Sequence, residues 1–181
     1  MSKAAQTLIY FSRFVVNDQV FFRSKYSYAL VNLKPIVAGH VLVVPLRVVE
    51  RLKDLTDEES IDYIRTIQTV HKFIEKIYKA DSLNIAIQDG PEAGQSIPHL
   101  HTHIIPRHRA NNMGDEVYER MDSSEYDVED GLKQFYQRKN LKRLDKYVVK
   151  PDDERYERTT QDMHNEAKWL AQEFEKYSKG Q

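Results

Sequence analysis

Residues 98–106 read PHLHTHIIP, and within them His99, His101 and His103 alternate with Leu100, Thr102 and Ile104 between two prolines. Period-two alternation is the mark of a strand, because successive side chains leave opposite faces. The spacing therefore predicts a strand over residues 99–105 with three imidazoles on one face. A lone histidine in such a place is ordinarily a polar group on a half-exposed face. Three in register point instead to chemistry.

Two chemistries compete for that row. Neutral imidazole is a common metal ligand. At about 3.4 Å per residue, however, the outer two histidines lie roughly 13 Å apart at the backbone, which suits a single tetrahedral ion poorly. No Cys exists in the chain, and no Glu stands in the row to complete a ligand set. The alternative is covalent catalysis, in which the middle histidine attacks phosphorus while its neighbours order it and bind phosphate oxygens. An imidazole offers a nucleophilic nitrogen near neutral pH without the deprotonation that Ser or Lys requires.

The preceding residues 88–96, QDGPEAGQS, favour the second chemistry and hold two of the six glycines. Gly90 and Gly94 would let main-chain N–H groups turn toward an anion, and the Gln95 amide and Ser96 hydroxyl are donors for phosphate oxygens. The loop is not a nucleoside-triphosphate P-loop, since Gly-Lys-Ser/Thr is missing.

Outward from this stretch, residues 19–23, 28–33, 40–46 and 83–88 are short runs rich in Val, Ile, Tyr and Phe and read as further strands. Between the third and fourth of these, Tyr63, Ile67, Val70, Ile74 and Ile77 keep helical spacing. Thr56 and Glu59 form a capping box at that helix's start. Met163, Ala167, Leu170 and Phe174, with Trp169 beside them, predict a second amphipathic helix docked on the sheet. Close spacing of the first strands favours hairpins, hence an α+β fold with an antiparallel sheet. Apolar residues concentrate before Arg107. Residues 1–110 are expected to form the core, 111–158 a mobile charged loop, and 159–181 the terminal helix of the same domain.

The 181 residues suit one domain. With 27 basic and 28 acidic side chains the formal charge is -1, so neither a nucleic-acid tether nor an acidic tail is implied. Absence of Cys removes disulfides and thiol nucleophiles. The apolar run Val41 to Val44 stops at Pro45, far short of the ~20 residues that span a bilayer. The beginning of the chain shows no signal-peptide core, so a cytoplasmic protein is expected, with the nucleus as a further location.

The motif HLHTHII resembles that of the histidine triad (HIT) proteins. YALVNLKPIVAGHVLVVPLR and IQDGPEAGQSIPHLHTHIIPR look like the Fhit branch, the dinucleoside polyphosphate hydrolases, and most of all its fungal members. The resemblance spans about residues 8–121 and, more weakly, the final helix. It implies a HIT-like fold with a five-stranded antiparallel sheet, one long helix and a C-terminal helix. It also implies hydrolysis of diadenosine triphosphate to AMP and ADP through a nucleotidyl-histidine.

Carried over residue by residue, His101 matches the nucleophile, His103 the phosphate-binding histidine, His99 the first triad member that holds the nucleophile, and His40 a supporting histidine. Gln88, Gly94, Gln95, Ser96 and Ile97 match phosphate-contacting positions, and Asn32 the residue that holds the ribose. Leu42, Tyr10 and Phe14 are candidates for an adenine slot, and Arg13 stands near the phosphates in the implied alignment. Tyr118 lies where that branch has a regulatory tyrosine. The resemblance further implies a homodimer joining two five-stranded sheets. A divalent cation, Mg or Mn, is expected to arrive with the polyphosphate, whose charge it neutralises, rather than be held by protein ligands. Two other readings stay open: a nucleotide-binding signalling module whose substrate-bound form a partner recognises, and a Hint-like nucleoside phosphoramidate hydrolase. The latter relatives usually follow the triad with a Gly-rich end, whereas Ile105-Pro106-Arg107 follows it here.

Overall fold

A computed structural model describes residues 7–111, 114, 116–122 and 158–180. Two short strands, β1 (Tyr10–Phe11) and β2 (Phe14–Val15), pair as an antiparallel hairpin. Ser12 takes a positive φ of 54° to make the turn between them. Five further strands follow: β3 (Val20–Arg23), β4 (Ser27–Val31), β5 (Val41–Pro45), β6 (Ser82–Ile87) and β7 (Thr102–Arg107). They form one antiparallel sheet in the order β3-β4-β5-β7-β6. The architecture is α+β with a five-stranded antiparallel sheet, as the strand pattern and the family resemblance both predict.

Cross-strand register sorts the side chains onto two faces. Leu30, Leu42, His103 and Ala86 stand opposite one another in a row on one face, and Ala29, Val43, Thr102 and Ile87 on the other. The second face carries both long helices. Helix α1 (Asp57–Tyr78) starts at the predicted Thr56–Glu59 capping box and ends at Lys79, whose left-handed conformation closes the last turn. It buries Tyr63, Ile67, Val70, Phe73 and Ile74 against the sheet. At about 1.5–3 kcal/mol per buried apolar side chain, this stripe contributes on the order of 10 kcal/mol before entropy is subtracted. The Tyr63 hydroxyl fixes the helix in register, lying 3.1 Å from the Val43 carbonyl oxygen and 2.6 Å from Thr102 Oγ1.

Between α1 and the last helix, α2 (Glu116–Asp122) lies on the opposite face, where Val117 packs on Ile36 and Ile105. Helix α3 (Thr160–Lys179) begins at its own Thr159–Asp162 capping box and buries Met163, Ala167 and Leu170. Phe174 seals it to the rest, 4.8 Å from the Phe22 ring and 5.0 Å from Phe73. Trp169 stands half-exposed, edge-on to Tyr78 at 5.9 Å. Helix α2 falls inside the interval expected to be a mobile loop. The remainder of residues 111–158, apart from Asn111, Gly114 and Arg158, lies outside the described residues. No helix among the described residues is long and apolar enough to cross a membrane.

One strand departs from expectation. β7 begins at Thr102, so His99 and His101 precede it and only His103 of the triad is a strand residue. The cause lies in β5. Its ladder with β7 ends at the Val43–Thr102 pair, because Pro45 has no N–H to donate and its carbonyl accepts from the His99 ring. Leu100 N–H turns instead to the Val49 carbonyl at 2.6 Å, and His99 N–H to Ile97 at 2.7 Å.

Candidate active site

The triad and His40 come together on the face opposite the long helices, and all four are buried. Their ring contacts run in a chain: His40 to His103 at 5.2 Å between centroids, His103 to His101 at 5.0 Å. His99 stands outside that chain of rings, and its carbonyl orients His101. His101 Nδ1–H donates to the His99 carbonyl at 2.7 Å. The proton of the neutral ring is thereby placed on Nδ1, and Nε2 keeps its lone pair. No hydrogen bond engages that Nε2 among the described residues.

The His99 imidazole is a clamp. Its Nδ1 accepts from Ser12 N–H at 2.9 Å, so the ring proton is on Nε2, which donates to the Pro45 carbonyl at 3.0 Å, with Arg47 O also within 3.2 Å. One ring thus ties the β1–β2 turn and the end of β5 to the segment that presents His101. Phe11, from the same hairpin, packs against His99 at 5.7 Å and meets His101 edge-on at 5.4 Å.

A second tautomer chain sets His103. Ile36 N–H donates to His40 Nδ1 at 3.1 Å, so His40 carries its proton on Nε2. That Nε2–H faces His103 Nδ1 at 2.9 Å, which makes His103 Nδ1 an acceptor and leaves its proton on Nε2. His103 Nε2 is buried without a partner among the described residues. A buried, unpaired donor is costly unless a ligand takes the bond, and beside an unprotonated imidazole nitrogen the fitting ligand is an oxyanion.

Burial disfavours the charged form of all three triad imidazoles. It holds His99 down at about 4, with His101 adding to the effect, and it lowers His101. It pushes His103 well below the ordinary imidazole value, reinforced by His101 and His40.

The remaining predicted positions separate into those the geometry brings to this cluster and those it does not. Asn32 follows β4 directly, is buried, and places Nδ2 within 3.3–3.4 Å of both His40 ring nitrogens while its Oδ1 accepts from Lys34 N–H. Leu42 stands opposite His103 in the register. Phe14 is buried under Arg13, whose guanidinium lies 5.2 Å from its ring, and Tyr10 is exposed with its carbonyl accepting from Tyr28 Oη. Gln88 directly follows β6.

The Gly loop is organised differently from the expected anion cradle. Gly90 N–H donates to Gln88 O, Gly94 N–H to Pro91 O and Gln95 N–H to Gly90 O, which closes the turn on itself. The Gln95 side chain donates to the Glu50 carbonyl at 2.8 Å. Positive φ at Gly90 and Gly94 serves these internal bonds rather than outward-facing amides. Ser96, next in the chain, has no hydrogen-bond partner among the described residues, and Ile97 is buried. Sequence reading missed Phe11, Ser12 and Ile36. The turn Ser12-Arg13 has none of the Asn-Gly or Asp-Gly chemistry that announces a hairpin, and Ile36 acts through its backbone alone.

The chain matches the HIT domain family over residues 13–110. It belongs to that family. The HIT domain here is 67% identical over 115 residues to bis(5'-adenosyl)-triphosphatase of Saccharomyces cerevisiae (strain ATCC 204508 / S288c), a match that covers 63% of this chain and 56% of that protein. The chain thus spans about half the length of the curated relatives of that name. Bis(5'-nucleosyl)-tetraphosphatase [asymmetrical] of Schizosaccharomyces pombe is 42% identical over 167 residues, covering 90% of this chain and 92% of that protein. Among solved structures, the HIT domain is similar to Plasmodium falciparum diadenosine triphosphate hydrolase in complex with cyclomarin A, with 32% identity, a TM-score of 0.56, and coverage of 73% of this chain and 88% of that one. These relatives support the Fhit-branch resemblance drawn from the triad and the DGPEAGQ loop.

Proposed function

We propose that the protein is a dinucleoside polyphosphate hydrolase that cleaves diadenosine triphosphate to AMP and ADP, with His101 as nucleophile. The observation that carries this reading is the hydrogen bond from His101 Nδ1–H to the His99 carbonyl, which leaves Nε2 unprotonated beside the unpaired His103 Nε2–H. In the first step His101 Nε2 forms a bond to the α-phosphorus, the bond from that phosphorus to the bridging oxygen breaks, and ADP leaves. His103 donates to a phosphoryl oxygen as charge develops there. In the second step water attacks the same phosphorus, the P–N bond breaks, the imidazole departs neutral with its Nδ1 proton in place, and water's proton passes to solvent. Two inversions give net retention at phosphorus.

The relatives' names support the substrate class. The triad imidazoles are all lowered by burial and supply no fixed positive charge, which supports Mg or Mn entering as part of the polyphosphate substrate. A homodimer in the cytoplasm or nucleus completes the proposal, with sedimentation as its check. Hydrolysis of diadenosine triphosphate in heavy-oxygen water should label AMP alone, and His101→Ala should be silent. Unchanged turnover by that variant would remove His101 from the mechanism. A four-phosphate bridge is the second reading, favoured by the Schizosaccharomyces pombe relative that matches 90% of the chain. Relative rates on the two dinucleotides decide between them.

A further inference from the structure

The tautomer chain that arms His103 depends on the loop between β4 and β5, residues 32–40. Ile36 N–H must reach His40 Nδ1, and His40 must reach His103. That loop is gripped from outside at both ends. At its start, Arg158 Nη1 donates to the Asn32 carbonyl at 3.1 Å and Arg158 N–H to the Leu33 carbonyl at 3.4 Å. At its finish, the Tyr78 ring lies so close to Gly39 that a Cβ there would sit 2.7 Å from it, and Gly39 holds a φ of +80° directly before His40.

The two grips are joined by one side chain. Glu166 of α3 pairs with Arg158 Nη2 at 2.5 Å and accepts from Tyr78 Oη at 2.9 Å. The side chains of Arg158 and Glu166 are 23% and 16% exposed, so the pair is shielded enough to hold its geometry. A guanidinium is the group that suits this place, because one nitrogen donates to the Asn32 carbonyl while the other lies in ion-pair contact with the Glu166 carboxylate.

We propose that Arg158, Glu166 and Tyr78 form a positioning clamp through which the C-terminal segment holds the 32–40 loop, and so keeps His40 in the tautomer that leaves His103 as a donor. None of the three touches the triad itself. Their effect on catalysis runs through Asn32 and Gly39. The catalytic consequence rests on the hydrolase reading above, whereas the effect on tautomers does not.

The test reads the ring nitrogens directly. In the ligand-free wild-type protein, nitrogen-15 spectra of the histidine rings should show His40 and His103 each with a protonated Nε2 and an acceptor Nδ1. In Arg158→Ala, the His40 and His103 nitrogen shifts should move toward values averaged between tautomers. Those of His99, held by Ser12 and Pro45 away from the clamp, should stay in place. With diadenosine triphosphate, kcat should fall about tenfold, and Arg158→Lys should restore only part of it, since an ammonium lacks the fork. Glu166→Gln, which keeps shape and loses the ion pair, should shift the same nitrogens in the same direction and serves if Arg158→Ala does not fold. Unmoved His40 and His103 shifts in either folded variant overturn the clamp. Moved shifts in a protein whose wild type hydrolyses no dinucleoside polyphosphate uphold the clamp and overturn the hydrolase reading.

Discussion

His101 Nδ1–H points at the carbonyl oxygen of His99, two residues back in the chain and 2.7 Å away. In the reaction proposed above, the nucleophile is therefore oriented by a neutral main-chain acceptor instead of a carboxylate. When Nε2 bonds to phosphorus the ring becomes cationic, and a carbonyl compensates that charge less than a carboxylate would. In the proposed mechanism the P–N bond would be left correspondingly labile, which suits an intermediate that water must cleave.

Replacing His99 by Ala should damage the fold more than the chemistry. The substitution strands Ser12 N–H and removes the donor to Pro45 O inside a closed core. A loss of roughly 2–4 kcal/mol follows, from the cavity and the unpaired groups together. Urea unfolding measures it. A variant as stable as wild type would show that the ring is no clamp.

Acid should weaken the protein in a window that the triad defines. Buried His99 titrates at about 4, against about 6.5 when unfolded. Its folded form is neutral, so the contribution is complete above pH 6.5 and declines as pH falls toward 4, where the unfolded chain binds the extra proton. The difference amounts to about 3 kcal/mol. Because burial also lowers His101, the acid limb of kcat/KM should fall below pH 6.5. An acid limb at or above 6.5 would contradict a nucleophile kept neutral by burial.

A second acid-sensitive element lies at the start of α1. Hydrogen bonds from Arg47, at 2.8 and 2.6 Å, hold Glu59 down at about 2, and the same carboxylate caps Thr56 N–H. Its stabilisation is present above about pH 4.5 and is lost as pH drops toward 2. Arg47 is half-exposed, so solvent screening limits the pair to roughly 1–2 kcal/mol. Glu59→Gln should lower stability at pH 6 by that amount and make much less difference at pH 2, as read by thermal melts at the two pH values.

Gly39→Ala should lower stability by roughly 2–4 kcal/mol, since φ is +80° and the new methyl meets the Tyr78 ring at 2.7 Å. Adding Tyr78→Ala should relieve the clash but not the backbone strain. The double variant would then lose less than the two single losses added together, and simple additivity would mean that ring and glycine do not meet.

Helices α1 and α3 were legible because a 3.6 periodicity survives on one face of each, and β3 to β6 because each is a short run rich in Val, Ile, Tyr or Phe. The triad's strand was legible too, but its start was not, because its ladder is ended by Pro45 and by the His99 ring itself, partners more than fifty residues apart. The DGPEAGQ loop was legible as a special turn, but the destinations of its donors were not, since glycine permits inward and outward bonding equally. His40, His101 and His103 were legible as a cluster, while the backbone groups of Ile36 and His99 that set their protons left no trace in side-chain chemistry. Arg158 was invisible for the same reason of distance: its partner Asn32 lies 126 residues earlier.

Three neutral imidazoles give the candidate site direction without net charge. Binding there should respond little to ionic strength, because hydrogen bonds in a dry site are screened far less than exposed ion pairs. It should equally discriminate against simple buffer anions such as sulfate, which bring no base or ribose to anchor them. If the site releases AMP and ADP as proposed, no fixed cation among these histidines would hold the anions back, so the same neutrality that shapes entry would also favour repeated turnover.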